Sequence, residues 1–219
     1  MLLPLFPLPG VVLFPAARLP LHVFEARYRC LVSDLLALPA AERRIGMILA
    51  VRGGDGEIEM LEPGCAGRLV EHQPLADGRS NIVLEGEFRF AVEREVEGRP
   101  YRRALVHALP EGIAALDAER AAEAHAELLR LTAAVVRAAG ARSPIDLALV
   151  AGLGAPERLP ELVNRLAAGL DLPALRKQSL LAEATLDRAR ELAGILRSRV
   201  RLLDALGPFR HLAERAREN

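Results

Sequence analysis

Hydrophobic and polar positions change their spacing three times along this chain. The opening stretch, Leu3 to Ala17, carries no charge and is interrupted by Pro4, Pro7, Pro9 and Pro15. A helix there would bear several prolines, each costing about 3 kcal/mol in its interior. The stretch is therefore predicted to be extended: short strands with a turn at Pro9-Gly10 and a kink at Pro15. Residues 25–38 switch to helical spacing, with Tyr28, Leu31, Val32, Leu35 and Leu36 on one face. "RIGMILAV" (44–51) reads as a buried strand and "RGGDGE" (52–57) as a loop. Two strands are predicted around Pro63-Gly64, followed by a turn at Ala76-Asp77-Gly78. Residues 80–98 alternate, placing Phe88, Phe90 and Val92 on one face and Glu87, Arg89 and Glu93 on or near the other. "RPYRRALVHALP" (99–110) ends the strand-rich part.

Beyond Pro110 the spacing is helical throughout. Residues 116–140 are alanine-rich and end at Gly140, a residue suited to a helix C-cap. "SPIDLALVAGLG" (143–154) opens with Ser143 as N-cap and Pro144 at the first helical position. Residues 155–170 and 173–206 form further helices. The expected organisation is a β domain over 1–112 and an α-helical domain over 113–219. Frequent glycine and proline turns in the first point to a small closed or half-closed antiparallel barrel.

In the last helix Leu192, Ile195, Leu196, Val200, Leu203 and Leu206 share one face, with Arg199 inside the stripe. Such a stripe needs cover. The 116–140 helix or a second copy of the chain is expected to supply it, which makes the protein a monomer or a homodimer through this helix.

Composition narrows the chemistry. The chain has 219 residues, with 29 basic and 29 acidic side chains. The balance also holds locally, so no segment is a phosphate-binding footprint and no nucleic-acid partner is expected. The uncharged start has no basic residue before Arg18, which argues against a signal peptide; the prolines argue against a membrane span. The two cysteines, Cys30 and Cys65, make no Cys-x-x-Cys pair, and a cytoplasmic location is the simplest reading.

Catalytic constellations are missing from the sequence. The sole lysine, Lys177, is followed by Gln178 and has no glycine loop before it, so there is no P-loop. Ser179 lies two positions away, where a helix does not bring side chains together for a Ser–Lys dyad. The five histidines are scattered, and no metal or cofactor site is expected. Glu85 and Glu87, like other acidic pairs two apart, read as the solvated face of a strand. The chain is expected not to be an enzyme.

Three stretches resemble one known family. Residues 3–32 are similar to the opening P-L-x-P-x-x-V-x-x-P…P-L-x-V/I-F-E-x-R-Y signature of the amino-terminal, substrate-binding domain of Lon proteases. Residues 60–92 resemble its G-x-x-A/G-x-I/L…P-D-G…L-E-G-x-x-R-F core, with Ala76 where proline is usual. Residues 101–111 resemble its closing strand, and 157–196 resemble the helical segment that follows. The resemblance implies an α+β fold: a PUA-like β pseudo-barrel with an inserted helix, followed by an all-α helical bundle. It implies a stand-alone member lacking the ATPase and protease domains.

The function the resemblance implies is non-catalytic recognition of unfolded or degron-bearing polypeptide, or work with a protease or chaperone partner. An RNA-binding PUA-like module is the alternative. The residues expected to make contact are Phe24, Arg27 and Tyr28, an aromatic–arginine group at the passage from strand to helix. The competing reading puts Phe24 and Tyr28 in the core and pairs Arg27 with a nearby carboxylate.

Overall fold

The computed structural model describes residues 1–206 except 55, 114–116, 141–142, 144 and 146–149. Its elements run in the order β1 (Leu2–Leu8), β2 (Arg18–Val23), α1 (Ala26–Leu36), β3 (Arg44–Arg52), β4 (Ile58–Pro74), β5 (Ser80–Glu95), β6 (Arg103–Ala108), α2 (Ala118–Ala139), α3 (Leu159–Gly169), α4 (Ala174–Ala182) and α5 (Thr185–Leu206). They divide into two compact units. The first is Met1–Glu111 together with Leu172–Glu183; the second is Gly112–Asp171 together with Ala184–Asn219.

All six strands of the first unit join one mixed sheet in the order β2-β5-β4-β3-β1-β6, and β5 also pairs with β6. The pairings β1–β3–β4–β5–β6–β1 thus close on themselves, and β2 is an added edge strand. One edge of β5 lies along β4; the other is shared, first by β2 and then by β6. Only β1 and β3 run parallel. The class is α+β, as expected.

Inside the closed circuit Leu3, Leu5, Ala66, Phe90, Ala104 and Val106 form a buried cluster, with Phe88 and Val92 packed against it. The alternation of β5 drives this packing, because every second side chain faces inward. Where two strands were predicted around Pro63-Gly64, the chain runs on as the single strand β4. Its register with β3 shifts between Met47 and Leu49. Gly64 is required by close approach: a Cβ there would lie 2.3 Å from the Phe90 ring.

The opening prolines sit where the sheet needs no donor. The Leu5 N–H bonds the Arg102 carbonyl at 2.8 Å, and β6 pairing goes no further along β1 than Leu5. By alternation the Pro7 nitrogen faces that same edge, beyond the last pairing. Likewise the Gly86 N–H bonds the Ala17 carbonyl at 2.9 Å, so the Pro20 nitrogen faces the open edge of β2. Proline in these positions blunts an edge without removing a ladder bond.

α1 buries Tyr28, Leu31, Val32 and Leu35, the face that its spacing predicts. The outer face of β5 departs from expectation. Arg89, read as facing away from the core, is only 5% exposed. The cover is α4, which the sequence division counted with the helical half and which belongs to the first unit. Arg89 Nη1 donates to the carbonyls of Leu181 (2.8 Å) and Glu183 (2.9 Å), Nη2 donates to that of Pro110 (2.8 Å), and the guanidinium pairs with Glu111. Gln178 Nε2 donates to the carbonyls of Leu61 and Pro63, both at 3.0 Å. Nor are Glu85 and Glu87 merely solvated: half-buried, they bond Arg68 at 2.7 and 2.9 Å across the strands.

In the second unit α2 and α5 pack along each other. Leu128, Leu131 and Val135 of α2 and Leu192 and Leu196 of α5 are buried. Within the α5 stripe, Ile195, Val200 and Leu203 are half-buried and Leu206 is exposed. Gly140 caps α2 with φ 59°. Ser143 Oγ accepts the Ile145 N–H at 3.1 Å. Of the helix predicted over 143–154, residues 144 and 146–149 lie outside the described residues and 150–152 form a turn instead; 207–219 also lie outside the described residues.

Candidate functional site

Where β1 outruns β6, the sheet opens. The Leu5–Arg102 hydrogen bond is the last between them, and the chain from Val96 to Arg102 then bows away from β1. The gap is a cleft of about 930 Å³ within the first unit. Its walls are the ends of β1 and β3, the first turn of α1, the start of β4 and the connection from β5 to β6.

Its apolar surface comes from residues such as Leu8, Tyr28, Val51, Ile58, Val96 and Tyr101. Tyr28 is 4% exposed and packs against Phe6, with ring centroids 3.8 Å apart and the rings tilted by 30°. The Arg27 guanidinium lies 4.6 Å from the centroid of the same ring. Burial pushes the Tyr28 phenol up, against the opposing charge of Arg27. Tyr101 is pushed up to about 12, first by burial and then by donating to Asp34 Oδ2 at 2.6 Å. Both tyrosines are therefore neutral at physiological pH.

The charges of the lining balance in sign, four arginines against four glutamates. Arg27 pairs with Glu25 at 2.8 Å and Arg102 with Glu95 at 3.5 Å, while Arg99 pairs with Asp34 of α1 at 3.2 Å. Such a lining presents apolar area ringed by both signs of charge rather than a field of one sign. Among the described residues no three His, Cys, Asp or Glu side chains could hold a metal ion, and no helix is long and apolar enough to cross a membrane.

Of the three contact residues picked from the sequence, Arg27 and Tyr28 line this cleft. Phe24 is outside its lining and is 60% exposed beside His22, with ring centroids 6.1 Å apart. Phe24 is thus not core, whereas Tyr28 is, and Arg27 has the carboxylate partner that the competing reading gave it. Tyr101, Val51 and Ile58 were missed. They are distant in sequence from Tyr28, and only strand pairing brings them to one place.

Among known families, the model of the ATP-dependent protease La (LON) substrate-binding domain matches residues 2–197. The chain belongs to the Lon substrate-binding domain family. The Lon protease of Anaeromyxobacter dehalogenans is 28% identical over 182 residues, which are 82% of this chain and 21% of that protein. Lon protease 2 of Syntrophobacter fumaroxidans is 30% identical over 184 residues, 81% of this chain and 22% of the relative. The chain therefore spans about a fifth of the length of the curated relatives it matches.

Two solved Lon domains share the fold. The N-terminal domain of Mycobacterium avium complex Lon protease superposes with a TM-score of 0.69 at 17% identity, covering 90% of this chain and 98% of that one. A Lon N-terminal domain protein from Xanthomonas campestris gives 0.61 at 24% identity, covering 89% and 98%. The family model covers residues of both units.

Proposed function

We propose that this Lon-family chain binds polypeptide without cleaving it, and that the cleft of the first unit is where it does so. The cleft carries the reading: neutral aromatic and aliphatic area surrounded by charges that balance in sign fits side chains of an unfolded or degron-bearing segment. The family's designation as a substrate-binding domain supports the same reading. We take the closed circuit of strands as the PUA-like pseudo-barrel that carries this site. Cys30 and Cys65 are not joined in a disulfide, which fits a reducing, cytoplasmic setting. Handing clients to a separate protease or chaperone is the role this suggests.

The test is fluorescence anisotropy with labelled, reduced and carboxymethylated α-lactalbumin, a permanently unfolded chain. Saturable binding is expected, weakened at least tenfold by Val51→Asp with Ile58→Asp, because each puts an unpaired charge on the apolar surface. Binding that is unchanged in this double variant overturns the assignment of the cleft. A salt-sensitive shift with polynucleotide and none with the polypeptide would favour the RNA-binding alternative. Casein incubated with the protein, with or without ATP, should remain intact.

A further inference from the structure

One wall of the cleft is attached in an unusual way. The Val96 N–H bonds the Arg103 carbonyl at 2.8 Å, and the Arg102 carbonyl accepts the Leu5 N–H at 2.8 Å. Between these two points the connection from β5 to β6 has left the ladder and is tied down through side chains. Two of its ties end on a single carboxylate. The Tyr101 hydroxyl donates to Asp34 Oδ2 at 2.6 Å, and Arg99 Nη1 lies 3.2 Å from the same oxygen. A third, Arg103 Nη2 to the Glu97 carbonyl, closes the segment on itself.

Asp34 belongs to α1, on the turn after Leu31 and beside Leu35, both buried. Its backbone is therefore held by the packed face of the helix. Its carboxylate is half-buried, where charge-assisted hydrogen bonds are stronger than neutral ones. The wall it holds contributes Val96, Pro100 and Tyr101 to the cleft lining. We propose that Asp34 is the positioning residue of the cleft: by fastening Tyr101 and Arg99 to α1 it keeps the Val96–Arg102 wall in place for the ligand.

The binding part of this proposal rests on the polypeptide reading above; the fastening of the wall does not. A wall already held in its bound position spares the ligand the cost of ordering it. Loosening it should therefore weaken binding without removing any residue from the cleft lining.

Amide hydrogen exchange and the α-lactalbumin anisotropy assay on the full chain together test it. Asp34→Ala is expected to speed exchange at least tenfold at Val96 and Leu5, whose N–H groups are bonded to the Arg103 and Arg102 carbonyls at the two ends of the wall, leaving that of Leu31 and Leu35 near wild type, and to weaken binding about tenfold. Asp34→Asn, which still accepts from Tyr101, should retain most of both. Tyr101→Phe serves as a second variant if Asp34→Ala melts the whole unit, and should speed the same amides. Unchanged exchange in both Asp34→Ala and Tyr101→Phe overturns the proposal. So does faster exchange with undiminished affinity. If the wild-type protein does not bind the polypeptide, the functional reading fails, and the exchange data alone support or overturn the fastening.

Discussion

Arg89 donates a hydrogen bond of 2.8 Å to the carbonyl of Leu181, 92 residues further along the chain. Leu181 is in the last turn of α4, whose terminal carbonyls have no partner within the helix. Arg89 supplies that partner from β5. It simultaneously binds Glu183, Pro110 and Glu111, so one buried guanidinium gathers three stretches of chain. The fork of donors on arginine suits this gathering; a lysine ammonium would not reach the same set.

Replacing Arg89 should accordingly be expensive. Arg89→Met removes the buried cation and leaves Glu111 and the carbonyls of α4 without it. A loss of about 3–5 kcal/mol is expected, as for other buried pairs broken from one side. Gln178→Leu, which leaves the Leu61 and Pro63 carbonyls without their donor, should cost about 1–3 kcal/mol. Urea unfolding followed by circular dichroism measures both. A midpoint for Arg89→Met within error of wild type would show that α4 is held by other means.

The same contacts bear on the smallest piece that folds. A chain ending at residue 112 keeps every strand but exposes Arg89 and the surface under Gln178. We expect it to unfold at lower denaturant than a chain in which residues 1–111 are joined to 172–183 by a flexible linker of roughly eight Gly/Ser residues. Urea unfolding of the two chains decides this. Equal stability would mean that α4 adds nothing to the β unit.

Alkaline titration should reveal the cleft tyrosines. Tyr101 is raised from 10.0 to about 12 and Tyr28 is raised as well. A raised folded pKa contributes stability that is complete below the unfolded value of about 10 and lost as pH climbs through the folded value. The melting temperature should thus decline between about pH 10 and pH 12. Tyrosinate absorbance of the native protein should rise later than that of the protein in guanidinium. A native titration centred near 10 for both residues would contradict the burial and the bond to Asp34.

In the second unit, burial separates leucines that share a stripe on α5. Leu196 is fully buried, whereas Leu206 is 50% exposed. Leu196→Ala should cost about 2–5 kcal/mol and Leu206→Ala about 0.5 kcal/mol or less. Equal effects in urea unfolding would mean that the stripe is covered along its whole length, as a dimer through this helix would require. Light scattering then reads the mass.

The periodic positions of this chain were legible without coordinates. The α1 face through Tyr28, Leu31, Val32 and Leu35, the inward row Phe88, Phe90 and Val92, and the Gly140 cap all follow from spacing alone. A buried face recurs every three or four residues in a helix and every second residue in a strand, so local sequence determines it. The family was legible too, because its motifs are runs of neighbouring residues. What local sequence could not settle was which surface covers another. Arg89 alternates as an outward residue should, and only the return of α4 buries it. Gly64 resembles a turn glycine until the Phe90 ring is laid against it. Tyr28 and Tyr101 share a cleft because α1 and the connection from β5 to β6 meet through Asp34. Such meetings depend on which strands pair and which segment returns to the sheet. Those choices minimise exposed apolar area and unpaired polar groups over the whole unit, so no short stretch of residues encodes them.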